Sequence, residues 1–82
     1  MKGVPKMFTK IDRRRARSLY NSQKSFIVVP CNMRPDSFAA WKLTRDSFEQ
    51  RVGSTFDAAI NAFEYYNCNA ETGRRAAFYV ED

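Results

Sequence analysis

The sequence predicts a small two-layer α+β domain, in the order helix, strand, helical region, helix, strand, with a two- to three-stranded sheet packed by helices. Three stretches carry that expectation. Ser25-Phe26-Ile27-Val28-Val29 is the one run of consecutive large apolar residues in the 82-residue chain. Its β-branched members suit a pleated surface, and a short apolar run bounded by turn residues reads as a strand covered on both faces. Pro30 closes it, because proline has no N–H for a ladder. Phe56, Ala59, Ile60 and Phe63 recur at i, i+3, i+4 and i+7, the most regular helical stripe in the chain. Residues 75–80 alternate, with Ala76, Phe78 and Val80 on one side and Ala77 and Tyr79 on the other.

Taken in order, residues 1–8 contain Gly3 and Pro5 without periodicity and read as a flexible basic lead-in. Thr9-Lys10-Ile11-Asp12 has the form of a capping box, so a helix is expected from Thr9 to about Asn21. Ala16, Leu19 and Tyr20 form its apolar stripe, with Ile11 nearer the edge. Asn21-Ser22-Gln23-Lys24 is a polar stop, and residues 26–29 are the central strand. Residues 30–37 connect to a segment, 38–52, in which Phe38/Trp41 and Phe48/Val52 have helical spacing. Ala39, Ala40, Glu49 and Gln50 agree with helix. Trp41-Lys42-Leu43-Thr44 also alternates, so a strand at 41–44 is the alternative to an interrupted helical region. Gly53 stands where a left-handed C-cap would close it.

Ser54-Thr55-Phe56-Asp57 is a second capping-box start, and its helix is expected over 55–66. Residues 67–73, with two Asn and a Gly, read as a turn, although residues 65–69 could form a strand hairpinned to residues 75–80. Glu81-Asp82 reads as a solvated end. Two strands alone make a marginal sheet. A third is therefore expected from 41–44, from 65–69, or from pairing across a homodimer.

The length fits one domain. Seven Phe, four Tyr and one Trp supply a dense core for a chain this short. No apolar run approaches the roughly 20 residues that span a bilayer, and residues 1–8 lack the apolar core of a secretion signal. A cytoplasmic protein with reduced Cys31 and Cys68 is the expectation, with a Cys31–Cys68 bridge as the alternative.

Charge is polarised. Residues 1–24 hold Lys2, Lys6, Lys10, Arg13, Arg14, Arg15, Arg17 and Lys24 against Asp12 alone, whereas the rest of the chain is slightly acidic and the total is +5. Lys10, Arg13, Arg14 and Arg17 share one face of the expected helix, opposite Ala16, Leu19 and Tyr20. Clustered guanidinium groups suit phosphates or an acidic protein surface, and the plain alternative is a solvated helix face. Their mutual repulsion, a few tenths of a kcal/mol per pair, favours a use for them.

Tyr65-Tyr66-Asn67-Cys68-Asn69, with Arg74 and Arg75 beyond the turn, makes a second candidate contact patch, its tyrosines exposed beside arginine; the plain alternative places Tyr66 in the core and Tyr65 over a sheet edge. Cys68 would need a strong positive field to act as a nucleophile, which Arg74 or Arg75 could supply. Trp41 reads as core.

The absences are as informative. There is no histidine, no CxxC, no Walker A or GxGxxG loop and no calcium-loop pattern. The expectation is a non-enzymatic protein with no catalytic residues, no metal and no cofactor. In size, missing catalytic residues and single charged face the chain is similar to short accessory proteins of phages and mobile elements. Many of those, anti-defence and anti-CRISPR inhibitors among them, act by stoichiometric binding. The likeness is one of gross features and rests on no motif. It leaves two functions. One is an inhibitor that binds a nucleic-acid-handling protein through the basic helix and the Tyr/Arg patch; the other is a nucleic-acid-binding protein using the same basic face directly. The expected partner is an acidic protein surface or nucleic acid, since a chain of net charge +5 is a poor mimic of DNA. No membrane is involved in either.

Overall fold

The apolar run at residues 26–29 is a strand, and every residue from Phe26 to Pro30 is buried. Burial on both faces is common for a strand in the middle of a covered sheet. The computed structural model, which describes residues 7–44 and 55–81, places it there. The elements are β1 (Phe8–Ile11), α1 (Arg13–Asn21), β2 (Phe26–Pro30), β3 (Trp41–Leu43), α2 (Phe56–Asn67) and β4 (Ala76–Glu81). The α+β class is as expected, but the sheet has four strands, in the order β1-β4-β2-β3, all paired antiparallel.

Strands β1 and β2 are both antiparallel to β4, so they are parallel to each other with β4 between them. Likewise β3 and β4 are parallel with β2 between them. Each parallel pair is joined through a helix, α1 or α2, as parallel strands require. The chain is thus two interleaved β-α-β units.

Opposed residues across antiparallel strands share a face. The row Ile11, Phe78, Val28, Trp41 points to the helices, where Phe78, Val28 and Phe26 join Ala16, Tyr20, Phe56, Ala59, Ile60 and Phe63 in one core. The stripe expected on 55–66 is therefore the buried face of α2, and Phe63 meets Trp41 edge-on at 5.4 Å. The neighbouring row, Lys10, Tyr79, Ile27, Lys42, faces the other way. There residues 35–40 lie beside Ile27.

Several boundaries differ from the sequence expectation. The lead-in over 1–8 is overturned at Phe8, which opens β1; residues 1–6 lie outside the described residues. Thr9 does not cap a helix. Thr9, Lys10 and Ile11 are strand, because β4 offers them a ladder, and the N-cap is Asp12, whose carboxylate accepts from the Arg15 N–H at 2.8 Å. The described part of the 38–52 helical region is not helical. Trp41–Leu43 pairs with β2, the alternative reading, and Phe38 stands 94% exposed instead of packing beside Trp41. Residues 45–52, Gly53 and Ser54 lie outside the described residues. Thr55, not Ser54, caps α2, accepting from the Ala58 N–H at 3.2 Å. A strand over 65–69 is also overturned, because α2 continues to Asn67 and only an isolated Asn69–Gly73 bridge comes after it. The last strand covers 76–81 rather than 75–80, drawing in Glu81 opposite Phe8.

Two turns position the later elements. Helix α1 ends in a Schellman arrangement: Lys24 N–H donates to Leu19 O at 2.8 Å and Gln23 N–H to Tyr20 O at 3.0 Å. That forces Gln23 to φ +60°, where glycine is the easy residue. After α2, Asn69 Oδ1 accepts from Glu71 N–H and Thr72 N–H, and the turn closes at Gly73, φ +112°. A Cβ at Gly73 would lie 2.5 Å from Cys31 Sγ, so both conformation and space demand glycine.

Packing and turn geometry each predict a stability change. Phe63→Ala should cost ~3–5 kcal/mol, a large share of what a domain this size holds, and a denaturation midpoint equal to wild type would contradict the packing described. Gln23→Gly should raise stability by about 0.5–1 kcal/mol by relieving the left-handed position, read as an upward shift in the same midpoint.

Candidate functional site

Helix α1 begins with three arginines at the end of a helix where the dipole is positive, the unfavourable end for cations. Two of the basic residues expected to point into solvent do not simply do so. Arg13 and Arg17 each donate to Asp57 Oδ1, at 3.2 and 3.3 Å, and their guanidinium carbons stand 5.4 and 5.6 Å from the Phe56 ring centroid. They are half-exposed and roof the buried Phe56, tying α1 to α2. This corrects the reading of Lys10, Arg13, Arg14 and Arg17 as one free helix face. Lys10 is not on the helix at all but on β1. Arg14 and Arg15 remain exposed and make no side-chain ion pair among the described residues.

The hydrogen bonds from Arg13 and then Arg17 hold the Asp57 carboxyl below the usual carboxylate range, and their charges act in the same direction. Asp57 is itself exposed, so the clamp is a solvated one.

The structure gathers three of the candidate residues elsewhere. Beyond Ile11 the chain leaves β4 for α1, so Ala76 and Ala77 have no β1 partner. The gap is a groove of about 370 Å³ lined by Lys10, Ile11, Arg13, Cys31, Glu64, Arg75 and residues 76–78. Glu64 stands in for the missing strand: its Oε2 accepts from Ala76 N–H at 3.0 Å and lies 3.8 Å from Arg75 Nε. Lys10 of β1, Arg13 of α1 and Arg75, just before β4, thus line one groove with Glu64, and Arg75 is the one paired with it.

Tyr65, next to Glu64, is 80% exposed, and so is Tyr66 at 78%, which overturns a core position for Tyr66. Their rings meet edge-on, 4.9 Å apart at 89°. Tyr66 is at the surface, as the contact-patch reading has it; four residues after Phe63 it is Asn67 that continues the Phe56/Ile60/Phe63 stripe, and Tyr66 falls to its side. Arg74 is exposed in the turn before β4. Arg17 and Arg74 do not line the groove.

Both cysteines are free thiols. Burial, then the negative charge of Glu64, then Cys31, pushes the Cys68 thiol up, the opposite of what a nucleophile needs. Arg74 and Arg75 do not reverse this. Among the described residues no cluster of three or more Cys, Asp or Glu could hold a metal ion, and no helix is long and apolar enough to cross a membrane.

No protein-family model, curated protein or solved structure matches this chain.

The clamp gives a pH prediction. A carboxylate whose pKa is depressed by folding adds stability above its unfolded pKa, about 4, and that stability is lost as pH falls through the depressed value. Acid titration of wild type and Asp57→Asn should therefore show a stability difference at pH 6 that narrows toward pH 2. A constant difference across that interval would mean that the ion pairs are not what Asp57 contributes.

Proposed function

We propose that this chain is a non-catalytic binding protein that associates stoichiometrically with an acidic surface of another protein, and that it acts as an inhibitor or modulator of a nucleic-acid-handling protein. The observation that carries this reading is the groove in which Lys10, Arg13 and Arg75 converge from three separate segments. Its chemistry suits a carboxylate side chain from the partner. Arg75, 3.8 Å from Glu64, and Arg13, bonded to Asp57, are already oriented, which lowers the ordering cost of a contact. Exposed Arg14 and Arg15 extend the basic surface at the start of α1, and the Tyr65–Tyr66 pair stands beside Glu64 on α2. Tyrosine and arginine are the residue types that dominate binding energy at protein interfaces. Any acidic group that engages Arg13, on a protein or on a nucleic acid, must share it with Asp57.

The test compares wild type with Lys10→Glu/Arg75→Glu and with Tyr65→Ser/Tyr66→Ser as baits, followed by titration of the captured protein. Both pairs should leave the fold intact, because exposed changes usually stay within about 0.5 kcal/mol each. Both should weaken the complex by a factor of 10 or more, the charge pair most strongly at low salt. Undiminished affinity in both variants would overturn the proposal.

A further inference from the structure

The sheet face away from the helices holds a second, differently built depression. Its floor and walls are Phe8 on β1, Ile27 on β2, and Pro35 and Ala40 of the connection that runs over this face. Lys42, Glu81, Asp36 and Ser37 form the polar rim, and the volume is about 240 Å³. That is smaller than the ~300–1,000 Å³ of ordinary ligand pockets, so it suits one flat ring rather than a whole small molecule.

The connection is held in place. Met33 N–H donates to Pro30 O at 2.9 Å, Ser37 N–H to Arg34 O and Ala40 N–H to Ser37 O, both at 3.1 Å, and Arg34 Nε bonds Asp36 Oδ1 at 3.1 Å. The cleft is therefore fixed by backbone turns. Within it, Ser37 Oγ is buried without a hydrogen-bond partner among the described residues. A buried hydroxyl left unbonded costs free energy that a guest could recover.

The register sets charges on either side. Lys10, Tyr79, Ile27 and Lys42 form one row across all four strands, with a lysine on each edge strand and tyrosine on an inner one. Aromatic rings on a sheet flanked by cations are the physical requirement for holding a single-stranded polynucleotide: bases stack on the rings and phosphates meet the lysines.

We propose that this face binds single-stranded nucleic acid, with one base in the cleft against Phe8 and the backbone running between Lys42 and Lys10. The rim carboxylates are Asp36, bonded to Arg34, and Glu81, whose Oε1 stands 3.9 Å from Lys42 Nζ; carboxylates accept from an exocyclic amino group, so the held base is one that carries such a group. Apart from Lys10 the site is distinct from the groove lined by Arg13 and Arg75, and it does not rest on the protein-binding reading of that groove.

Fluorescence anisotropy with labelled dC12 and dT12 tests it on the full chain. The expected result is salt-dependent binding of dC12, tighter than dT12, weakened on the order of tenfold by Phe8→Leu and also by Lys42→Gln and Ser37→Ala. Arg14→Gln, equal in charge change to Lys42→Gln but on α1, should have the smaller effect. Cytidine monophosphate should compete only at far higher concentration. Absence of dC12 binding at low salt, equal affinity for dT12, an Arg14→Gln loss as large as that of Lys42→Gln, or equal affinity for the mononucleotide would each overturn the assignment. If Phe8→Leu fails to fold by circular dichroism, the Lys42 and Ser37 variants decide.

Discussion

The Phe56 ring is the junction on which the other elements depend. It lies 5.7 Å from Tyr20 of α1, 6.1 Å from Phe26 of β2 and 5.9 Å from Phe78 of β4, and Arg13 and Arg17 cover its outer side. Helix α1 needs that junction. Nine residues are too few for an isolated helix in water, and three arginines in its first turn oppose its dipole. What makes it a helix is tertiary: Ala16 and Tyr20 buried against the core, Asp12 at the cap and Asp57 supplied by α2. The interaction that builds the helix also draws two of its cations out of the free basic surface, leaving Arg14 and Arg15 as the outward pair.

Much of the core was legible in the sequence. Strand β2 was visible because consecutive β-branched residues have few other homes, and α2 because four apolar residues kept helical spacing. Strand β1 was hidden by its brevity. Thr9-Lys10-Ile11-Asp12 satisfies the pattern of a helix start, and what decides against it is β4, at the other end of the chain. Strand β3 was outweighed by the helix formers on both sides of Trp41 and Leu43, and only pairing to β2 settles it. Long-range pairing is the information that local pattern lacks.

The candidate site was legible by residue type but not by arrangement. The basic residues near the start of the chain were evident. That Arg13 and Arg17 meet Asp57 was not, since the partners are 44 and 40 positions apart. Nor could spacing show that Lys10 and Arg75 line one groove, because that depends on β1 stopping short of Ala77 and on Glu64 completing the ladder. The core position weighed for Tyr66 fails because Asn67, four residues after Phe63, is the one that continues the stripe.

The strand order carries a consequence for how the protein comes into being. β4 is the last of the four strands to leave the ribosome, yet it sits in the interior of the sheet, between β1 and β2. Until it emerges, a nascent chain can pair only β2 with β3, a three-rung hairpin too small to persist in water. During synthesis the apolar β2 strand and the inner stripe of α2 are without their covering partner, and assembly becomes a single late event rather than a progressive one. A ribosome that stalls before Ala76 leaves an exposed apolar surface of the kind that chaperones and proteases recognise.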